Sequence, residues 1–205
     1  MQKMQLVRRA QGSPYHLAIL PGTFNPVTVA HLGLAHAALG TVDEVLFVLP
    51  RSFPHKIYEG AGFRERIGML EDALAGEPRF SIAASDGGLF REIAEECRAI
   101  YGGAPRLSFL CGRDAAERIV GWDYGDPGAV ARMFRDFGLL VAARGGAYAV
   151  PAHLRDSVTT LPVGDAYEGV SATEVRRRIA AGEDWTALVP AAIHERVRRA
   201  FPSTA

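Results

Sequence analysis

The chain has 205 residues, of which 48% are hydrophobic, and its 23 basic side chains balance 23 acidic ones. This length and composition exclude a disordered chain and fit one domain, residues 1–205, that buries a sizeable core. A formal charge of zero gives no overall attraction to nucleic acid or to an anionic membrane, so neither partner is expected and any anion site must be local.

The two cysteines, Cys97 and Cys111, lack the spacing of metal ligands, and the basic residues near the start are not followed by an apolar stretch. We therefore expect inert thiols, no metal held by the protein, a frayed N-terminus and a cytoplasmic location.

The first predicted elements are a strand, a turn and a helix. An apolar run at 16–20 has the length of a buried strand. Residues 22–26 predict a turn whose backbone can approach a ligand closely. Residues 28–39 predict a helix with Thr28 as N-cap, which puts His31 at the third helical position. The two side chains then share one face of the first turn.

A strand, a glycine turn and a helix N-terminus form a site for phosphate, because free N–H groups and the helix dipole both favour an anion. A purely structural role is the alternative. Thr28 would then only cap the helix, and His31 would be a partly buried histidine with satisfied hydrogen bonds.

Residues 44–50 predict a second buried strand, with the continuous apolar run of a parallel sheet covered on both faces. The loop after it carries Lys56, at the edge where open parallel sheets bind ligands. Lys56 is one of two lysines beside 21 arginines, and Asn25 is the sole asparagine. We interpret both as functional, with a phosphate contact for Lys56; a solvated loop lysine is the alternative.

The remaining elements alternate between helices and strands, as in an α/β fold with a parallel sheet of about five strands. Helices are predicted at 63–74, 89–101 and 128–137, strands at 80–85, 106–111 and 138–144, and a weaker strand at 157–163.

A second helix N-terminus is predicted within GVSATEVRRRI, residues 169–179, which we call the second motif. Ser171 and Glu174 have the spacing of a capping box, which already explains both residues structurally. Thr173 and Arg176 are three positions apart and share one face of the helix start.

Residues 22–31, GTFNPVTVAH, are called the first motif. This string resembles the first signature of the adenylyl- and cytidylyltransferase superfamily, G-(T/S)-F-(D/N)-P-x-(H/T)-x-x-H. SATEVR at 171–176 is similar to the second signature, (I/V)-S-S-T-x-(I/V)-R, with Ala172 in place of the second serine. A second phosphate site would thus face the first.

Three further segments resemble nicotinamide- and nicotinate-mononucleotide adenylyltransferases. They are the RIGML string at 66–70, the FLCGRDAAERIVGWDYGD string at 109–126 and the closing helix at 188–201. Arg66 is expected to anchor a loop. The resemblance implies a Rossmann-like, doubly wound parallel sheet at 15–165, with a C-terminal helical part at 166–205.

The implied reaction joins ATP to a pyridine mononucleotide and releases a dinucleotide and pyrophosphate in NAD biosynthesis, with Mg²⁺ on the triphosphate. The attacking phosphate monoester is mostly dianionic near neutral pH, since its second pKa is about 6. It therefore needs no protein base, and catalysis depends on positioning and on neutralising charge.

The resemblance also implies three groups of site residues. The catalytic group is Thr28, His31, Lys56 and Arg176. The ATP-binding group is Gly22, Thr23, Phe24, Asn25, His31, Ser171, Thr173 and Arg176. The mononucleotide-binding group is Lys56, Gly112, Asp114 and Trp122. A carboxylate beyond a strand end suits ribose hydroxyls, and an indole suits a pyridine ring, although simple packing is the alternative for Trp122.

One stretch departs from the family pattern. Bacterial nicotinate-using enzymes carry G-P-S-Y-T between the third strand and its helix, whereas this chain has SDGGLFRE at 85–92. Asn25 and Thr28 lean toward the nicotinamide-using branch. The choice between a pyridine carboxylate and a pyridine amide therefore stays open.

Other functions also stay open at this point. A sister transferase would use phosphopantetheine, riboflavin mononucleotide or a polyol phosphate as the acceptor. A class I aminoacyl-tRNA synthetase is disfavoured by the short, uncharged chain and the missing lysine-rich loop. A non-catalytic nucleotide-binding module is the third alternative, and a homo-oligomer is compatible with each.

Overall fold

A computed structural model describes residues 4–51, 60–103, 105–121, 125, 128–143, 148–163 and 165–202. The strands are β1 (Met4–Arg8), β2 (His16–Pro21), β3 (Glu44–Pro50), β4 (Phe80–Ser85), β5 (Arg106–Gly112), β6 (Gly138–Ala143) and β7 (Val158–Pro162). The α-helices are α1 (Val29–Ala38), α2 (Phe63–Ala73), α3 (Phe90–Tyr101), α4 (Arg113–Gly121), α5 (Ala129–Asp136), α6 (Ala172–Ala180) and α7 (His194–Ala200). Short 3-10 turns lie at Ala152–Leu154, Thr186–Leu188 and Ala191–Ile193.

The strands form one sheet in the order β1-β4-β3-β2-β5-β6-β7. All neighbours are parallel except β1, which is antiparallel to β4. The chain leaves β2 toward β3 and β4 and later returns to β5 on the other side of β2. The strand order therefore reverses between β2 and β5, and ligands of open α/β sheets bind at the carboxyl ends of the strands at such a point.

Helices cover both faces of the sheet, which confirms the predicted doubly wound fold. The core of one face includes buried side chains from α1, α2, α6 and α7. The other face packs against α3, α4 and α5. Successive side chains of β2 alternate between the two cores, with Ala18 and Leu20 in the first and Leu17 and Ile19 in the second. A continuous apolar strand is what this double burial requires.

Two details differ from the expectations: a strand begins at Met4 where a frayed N-terminus was expected, and the sheet has seven strands instead of about five. β1 pairs with β4, and Met4 is 2% exposed in the core. The Arg8 guanidinium also donates to the carbonyls of Leu74 and Glu77. Such an edge strand is short and half polar, so its hydrophobic pattern is weak. β7 confirms the weaker strand predicted at 157–163 and completes the seven.

Most predicted elements agree with the structure within one or two residues. The helix α4 was not among the predicted elements, and it begins directly where β5 ends. Gly112 closes β5, and Asp114 lies in the first turn of α4. The closing helix predicted at 188–201 is shorter in the structure. A 3-10 turn follows Pro190, and α7 begins only at His194. No helix in the described ranges is long and apolar enough to cross a membrane.

A buried polar cluster lies at the amino edge of the sheet, opposite the carboxyl edge. The Glu44 side chain is 3% exposed, and its carboxylate accepts hydrogen bonds from the Ser81 hydroxyl, at 2.6 Å, and from the Tyr101 phenol. The Ala10 N–H donates to Ser81 Oγ at 2.7 Å. Burial and the bond to Glu44 raise the pKa of the Tyr101 phenol, so it stays a donor. The cluster joins β3, β4, α3 and the segment after β1.

We expect Tyr101→Phe to lower the free energy of unfolding by about 1–3 kcal/mol, because a buried carboxylate loses a donor. Urea denaturation measures the change. Tyr15→Phe is the matched control, since Tyr15 is 81% exposed and the same chemical change there should cost less than about 0.5 kcal/mol. Equal unfolding midpoints for Tyr101→Phe and the parent chain would contradict this role.

Candidate active site

The first motif connects the carboxyl end of β2 to α1. The Gly22 N–H donates to the Val48 carbonyl at 3.0 Å, which extends the pairing of β2 with β3. Phe24 has a φ of 45° and is 1% exposed, with its ring against Phe47 and His31. A Cβ at residue 22 would lie 2.8 Å from that ring, so only glycine fits there. The left-handed backbone at Phe24 costs about 1–3 kcal/mol, which burial of the ring offsets.

Thr28 caps α1 and holds the imidazole of His31. The Thr28 N–H donates to His31 Nδ1 at 3.0 Å, and Thr28 Oγ1 lies 2.8 Å from the same nitrogen. A main-chain N–H can only donate, so Nδ1 must accept. Neutral His31 therefore carries its proton on Nε2, where it can donate to an anion. Both predicted features, the cap at Thr28 and the third helical position of His31, are confirmed.

Two arginines bind carbonyl oxygens of the first motif. Arg66 of α2 is 4% exposed and donates from Nη1 to the Thr23 carbonyl at 2.9 Å. Arg176 of α6 donates from Nη1 to the Asn25 carbonyl at 2.6 Å. Two carbonyls of the turn are thus paired by guanidinium groups, in line with the need of buried backbone for partners. The loop-anchoring contact expected of Arg66 is present.

The second motif begins α6. Ser171 is the N-cap, and its Oγ accepts from the Glu174 N–H at 3.1 Å. Arg176 also donates to the Ala172 carbonyl at 3.2 Å, and its Nη2 lies 3.5 Å from Thr173 Oγ1. Since the same guanidinium binds the Asn25 carbonyl, the structure brings the two motifs together.

Only half of the predicted capping box forms. Instead of returning to the N-cap, the Glu174 carboxylate accepts hydrogen bonds from Arg177 at 2.8 and 2.9 Å and from Arg178 at 2.8 Å. These bonds, chiefly those from Arg177, lower the pKa of Glu174 from 4.5 to about 2. The ion pairs with Arg177 and Arg178 therefore hold the Glu174 carboxylate instead of the N-cap.

A cleft of about 390 Å³ lies between the start of α4 and the segment before α6. Its lining includes Gly112, Asp114, Glu168 and Gly169. Asp114 is exposed. The cleft therefore places the two predicted residues Gly112 and Asp114 beside the second motif. Glu168 and Gly169 were missed as lining residues, because a loop approaching another helix leaves no periodic signal in the sequence.

A groove of about 790 Å³ lies between the start of α3, the end of α4 and α5, and Leu89 at its edge is 56% exposed. The groove is next to the stretch that departs from the family pattern. The N–H groups of Gly88 and Leu89 donate to the Glu92 carboxylate at 3.0 and 3.1 Å, and the Gly87 N–H donates to Glu96 at 3.1 Å. Carboxylates of α3 thus hold this connection, in place of the family's hydroxyl and tyrosine side chains.

Lys56 and Trp122 lie outside the described residues. Their predicted contacts with the phosphates and with the pyridine ring stay predictions.

The cytidylyltransferase-like family model matches residues 19–178. The chain belongs to this family. It is 32% identical over 185 residues to the probable nicotinate-nucleotide adenylyltransferase of Solibacter usitatus, covering 86% of this chain and 94% of the relative. The corresponding protein of Bordetella pertussis is 35% identical over 189 residues, covering 85% and 90%. Within the family, the chain therefore groups with the nicotinate-nucleotide adenylyltransferases, and it is a nucleotidyltransferase.

Solved structures show the same fold. The Plasmodium falciparum nicotinic acid mononucleotide adenylyltransferase complexed with NaAD superposes with a TM-score of 0.66 at 16% identity, covering 90% of this chain and 95% of that one. A putative nicotinate-nucleotide adenylyltransferase from Vibrio parahaemolyticus gives 0.60 at 14% identity, covering 90% and 92%. The predicted family and the α/β fold are confirmed.

The lowered pKa of Glu174 predicts how the stability of α6 depends on pH. A carboxylate whose pKa is depressed on folding stabilises the fold above its ordinary pKa and loses that contribution as pH falls toward the folded value. We expect the stability difference between the parent chain and Glu174→Gln to be constant above about pH 5. It should shrink between pH 4.5 and about 2.

Urea denaturation at a series of pH values measures this difference. Glu95→Gln is the matched control, since Glu95 forms an exposed ion pair with Arg91 at 3.2 Å in α3. A difference for Glu174→Gln that stays the same down to pH 2.5 would show that its ion pairs do not stabilise the fold.

Proposed function

We propose that the chain transfers the adenylyl group of ATP to nicotinate mononucleotide. A phosphate oxygen of the mononucleotide attacks the α-phosphorus, the bond from that phosphorus to the bridging oxygen of the β-phosphate breaks, and pyrophosphate leaves. The observation that carries the proposal is the hydrogen bond of Arg176 to the Asn25 carbonyl, because it joins the two phosphate motifs. The N-termini of α1 and α6 then serve one polyphosphate.

His31 acts as a hydrogen-bond donor to the reacting phosphates. Its Nδ1 is engaged by Thr28, so the ring orientation and the position of the Nε2 proton are set before substrate arrives. A preorganised donor stabilises charge that grows in the transition state without reorganisation. No general base is needed, since the attacking phosphate is already an anion.

The remaining charge on the triphosphate is neutralised by the second motif and by Mg²⁺. Ser171 and Thr173 supply hydroxyl or N–H donors, and Arg176 and Lys56 supply positive charge. The described part of the chain has no group of three or more His, Cys, Asp or Glu side chains that could hold a metal ion. Mg²⁺ readily takes phosphate oxygens and waters as its ligands, which suits an ion that enters with ATP and neutralises the triphosphate.

Gly112 and Asp114 are proposed to contact the mononucleotide, with Asp114 accepting bonds from ribose hydroxyls in the cleft beside the second motif. Trp122 is proposed to face the pyridine ring. The relatives named above support nicotinate as the pyridine, in preference to the amide that Asn25 and Thr28 suggested. In place of the G-P-S-Y-T stretch, Glu92 holds the backbone N–H groups at the edge of the groove.

The test of the proposed function is magnesium-dependent release of pyrophosphate from ATP. Nicotinate mononucleotide and nicotinamide mononucleotide are compared as acceptors, with phosphopantetheine and riboflavin mononucleotide beside them. We expect release with nicotinate mononucleotide to exceed release with the amide. Release with phosphopantetheine or riboflavin mononucleotide alone would discard the pyridine acceptor. No pyrophosphate release with any acceptor, while ATP still binds, would indicate a non-catalytic module.

We expect His31→Ala to lower kcat by about 100-fold or more, the usual effect of losing one transition-state donor, with little change in the affinity for ATP. Steady-state kinetics and equilibrium ATP binding measure the two quantities. The matched control is His36→Ala on the same helix, where His36 is half exposed and lies 3.1 Å from Glu77. It should retain turnover. Equal losses of kcat and ATP affinity in His31→Ala would mark His31 as a plain binding residue.

A further inference from the structure

Asn25 has an arrangement that ATP binding alone does not explain. It is 4% exposed, and its Oδ1 accepts a hydrogen bond from the Ala61 N–H at 3.1 Å. Ala61 is itself 3% exposed. The main-chain carbonyl of Asn25 accepts from Arg176 at 2.6 Å. One buried residue thus contacts the segment before α2 through its side chain and α6 through its backbone.

In the described part of the chain, two hydrogen bonds join the first motif to α2 and to the residue before its N-cap, and the contact with Ala61 is one of them. Ala61 immediately precedes Gly62, the N-cap of α2, and Arg66 of α2 donates to the Thr23 carbonyl. Two hydrogen bonds at separate points restrain both the position and the direction of a helix. Losing the bond to Asn25 would remove one of these two restraints.

The space around this attachment is filled from the other side by the C-terminal part of the chain. Gly60 has a φ of +106°, and a Cβ there would lie 2.8 Å from the Phe201 ring and 3.1 Å from the Asn25 amide. Phe201 directly follows α7, which is tied to α2 by an ion pair between Arg196 and Asp72. Residues 60–61 are therefore held between the Asn25 side chain and Phe201.

We propose that Asn25 is a positioning residue. Its side-chain amide holds residues 60–61 and the start of α2, and its carbonyl holds Arg176 of α6, so that both motifs keep one arrangement around the phosphates. The inference rests on the proposed function, because it assigns Asn25 to the geometry of that same site. It differs from the expected direct ATP contact, since here the amide acts through main-chain atoms of the protein.

The test compares Asn25→Leu, which keeps the branched shape of the side chain but removes the acceptor, with Asn25→Asp, which keeps an oxygen for the Ala61 N–H. In Asn25→Leu we expect kcat to fall by about 10- to 100-fold and the KM for ATP to change by less than about threefold, because misplaced groups cost turnover. In Asn25→Asp both quantities should stay within about threefold of the parent chain.

Amide hydrogen exchange of Ala61, measured by NMR on the ligand-free protein, is the second readout. We expect exchange to be at least about tenfold faster in Asn25→Leu and little changed in Asn25→Asp, since only the first loses the acceptor. Ser108→Ala is the control for the loss of a buried polar side chain. Ser108 is 2% exposed and lies 2.8 Å from His16 Nε2 toward the amino edge of the sheet. It should retain kcat and the slow exchange of Ala61.

Two results would overturn the proposal. Equal losses of kcat in both Asn25 variants, with Ala61 exchange unchanged, would show that the amide contacts substrate directly. Full turnover in Asn25→Leu would show that the hydrogen bond between Asn25 and Ala61 does not position the site. If the parent chain releases no pyrophosphate with any acceptor, the proposed function fails. The exchange rate of Ala61 in Asn25→Leu still shows whether the Asn25 side chain holds the Ala61 N–H.

Discussion

The site depends on how the buried turn between β2 and α1 satisfies its main-chain carbonyls. Residues 24–28 are buried, so each of their polar backbone groups needs a partner inside the protein. Two carbonyls of the turn are paired by guanidinium groups, Thr23 with Arg66 and Asn25 with Arg176. Since those arginines come from α2 and α6, satisfying one turn also attaches two helices to it. The first and second motifs are neighbours for this reason.

Phe24 gives the same turn both a strained backbone and a tightly packed side chain. Phe24 adopts a left-handed backbone that a phenylalanine disfavours, and its ring is packed over Gly22 and beside His31. Thr28 then holds His31 through Nδ1. A strained but fully packed turn has few alternative conformations. The His31 imidazole is therefore held in one orientation by the fold itself.

Carboxylates accept structural hydrogen bonds at both edges of the sheet, and two of them, Glu44 and Glu96, are buried. At the amino edge, the Glu44 carboxylate accepts hydrogen bonds from the Ser81 and Tyr101 hydroxyls, and it thereby joins β3 and β4 to α3. At the carboxyl edge, Glu92 and Glu96 of α3 hold the connection after β4 through its N–H groups. The stretch at 85–92, which departs from the family pattern, is therefore held by carboxylates of the helix that follows it.

The sequence by itself determined the family, the parallel α/β fold, the cap at Thr28 and the place of His31. These features follow from short motifs and from runs of apolar residues, which are set by residues close together in the chain. It also indicated a loop-anchoring Arg66. Only the tertiary structure decided that Arg176 meets Asn25, that Asn25 meets Ala61, and that Gly112 and Asp114 share a cleft with the segment before α6. It also added β1, a half-polar edge strand without a strong pattern. Contacts between residues far apart in the chain arise from the packing of helices onto a common sheet edge, and no local spacing encodes them.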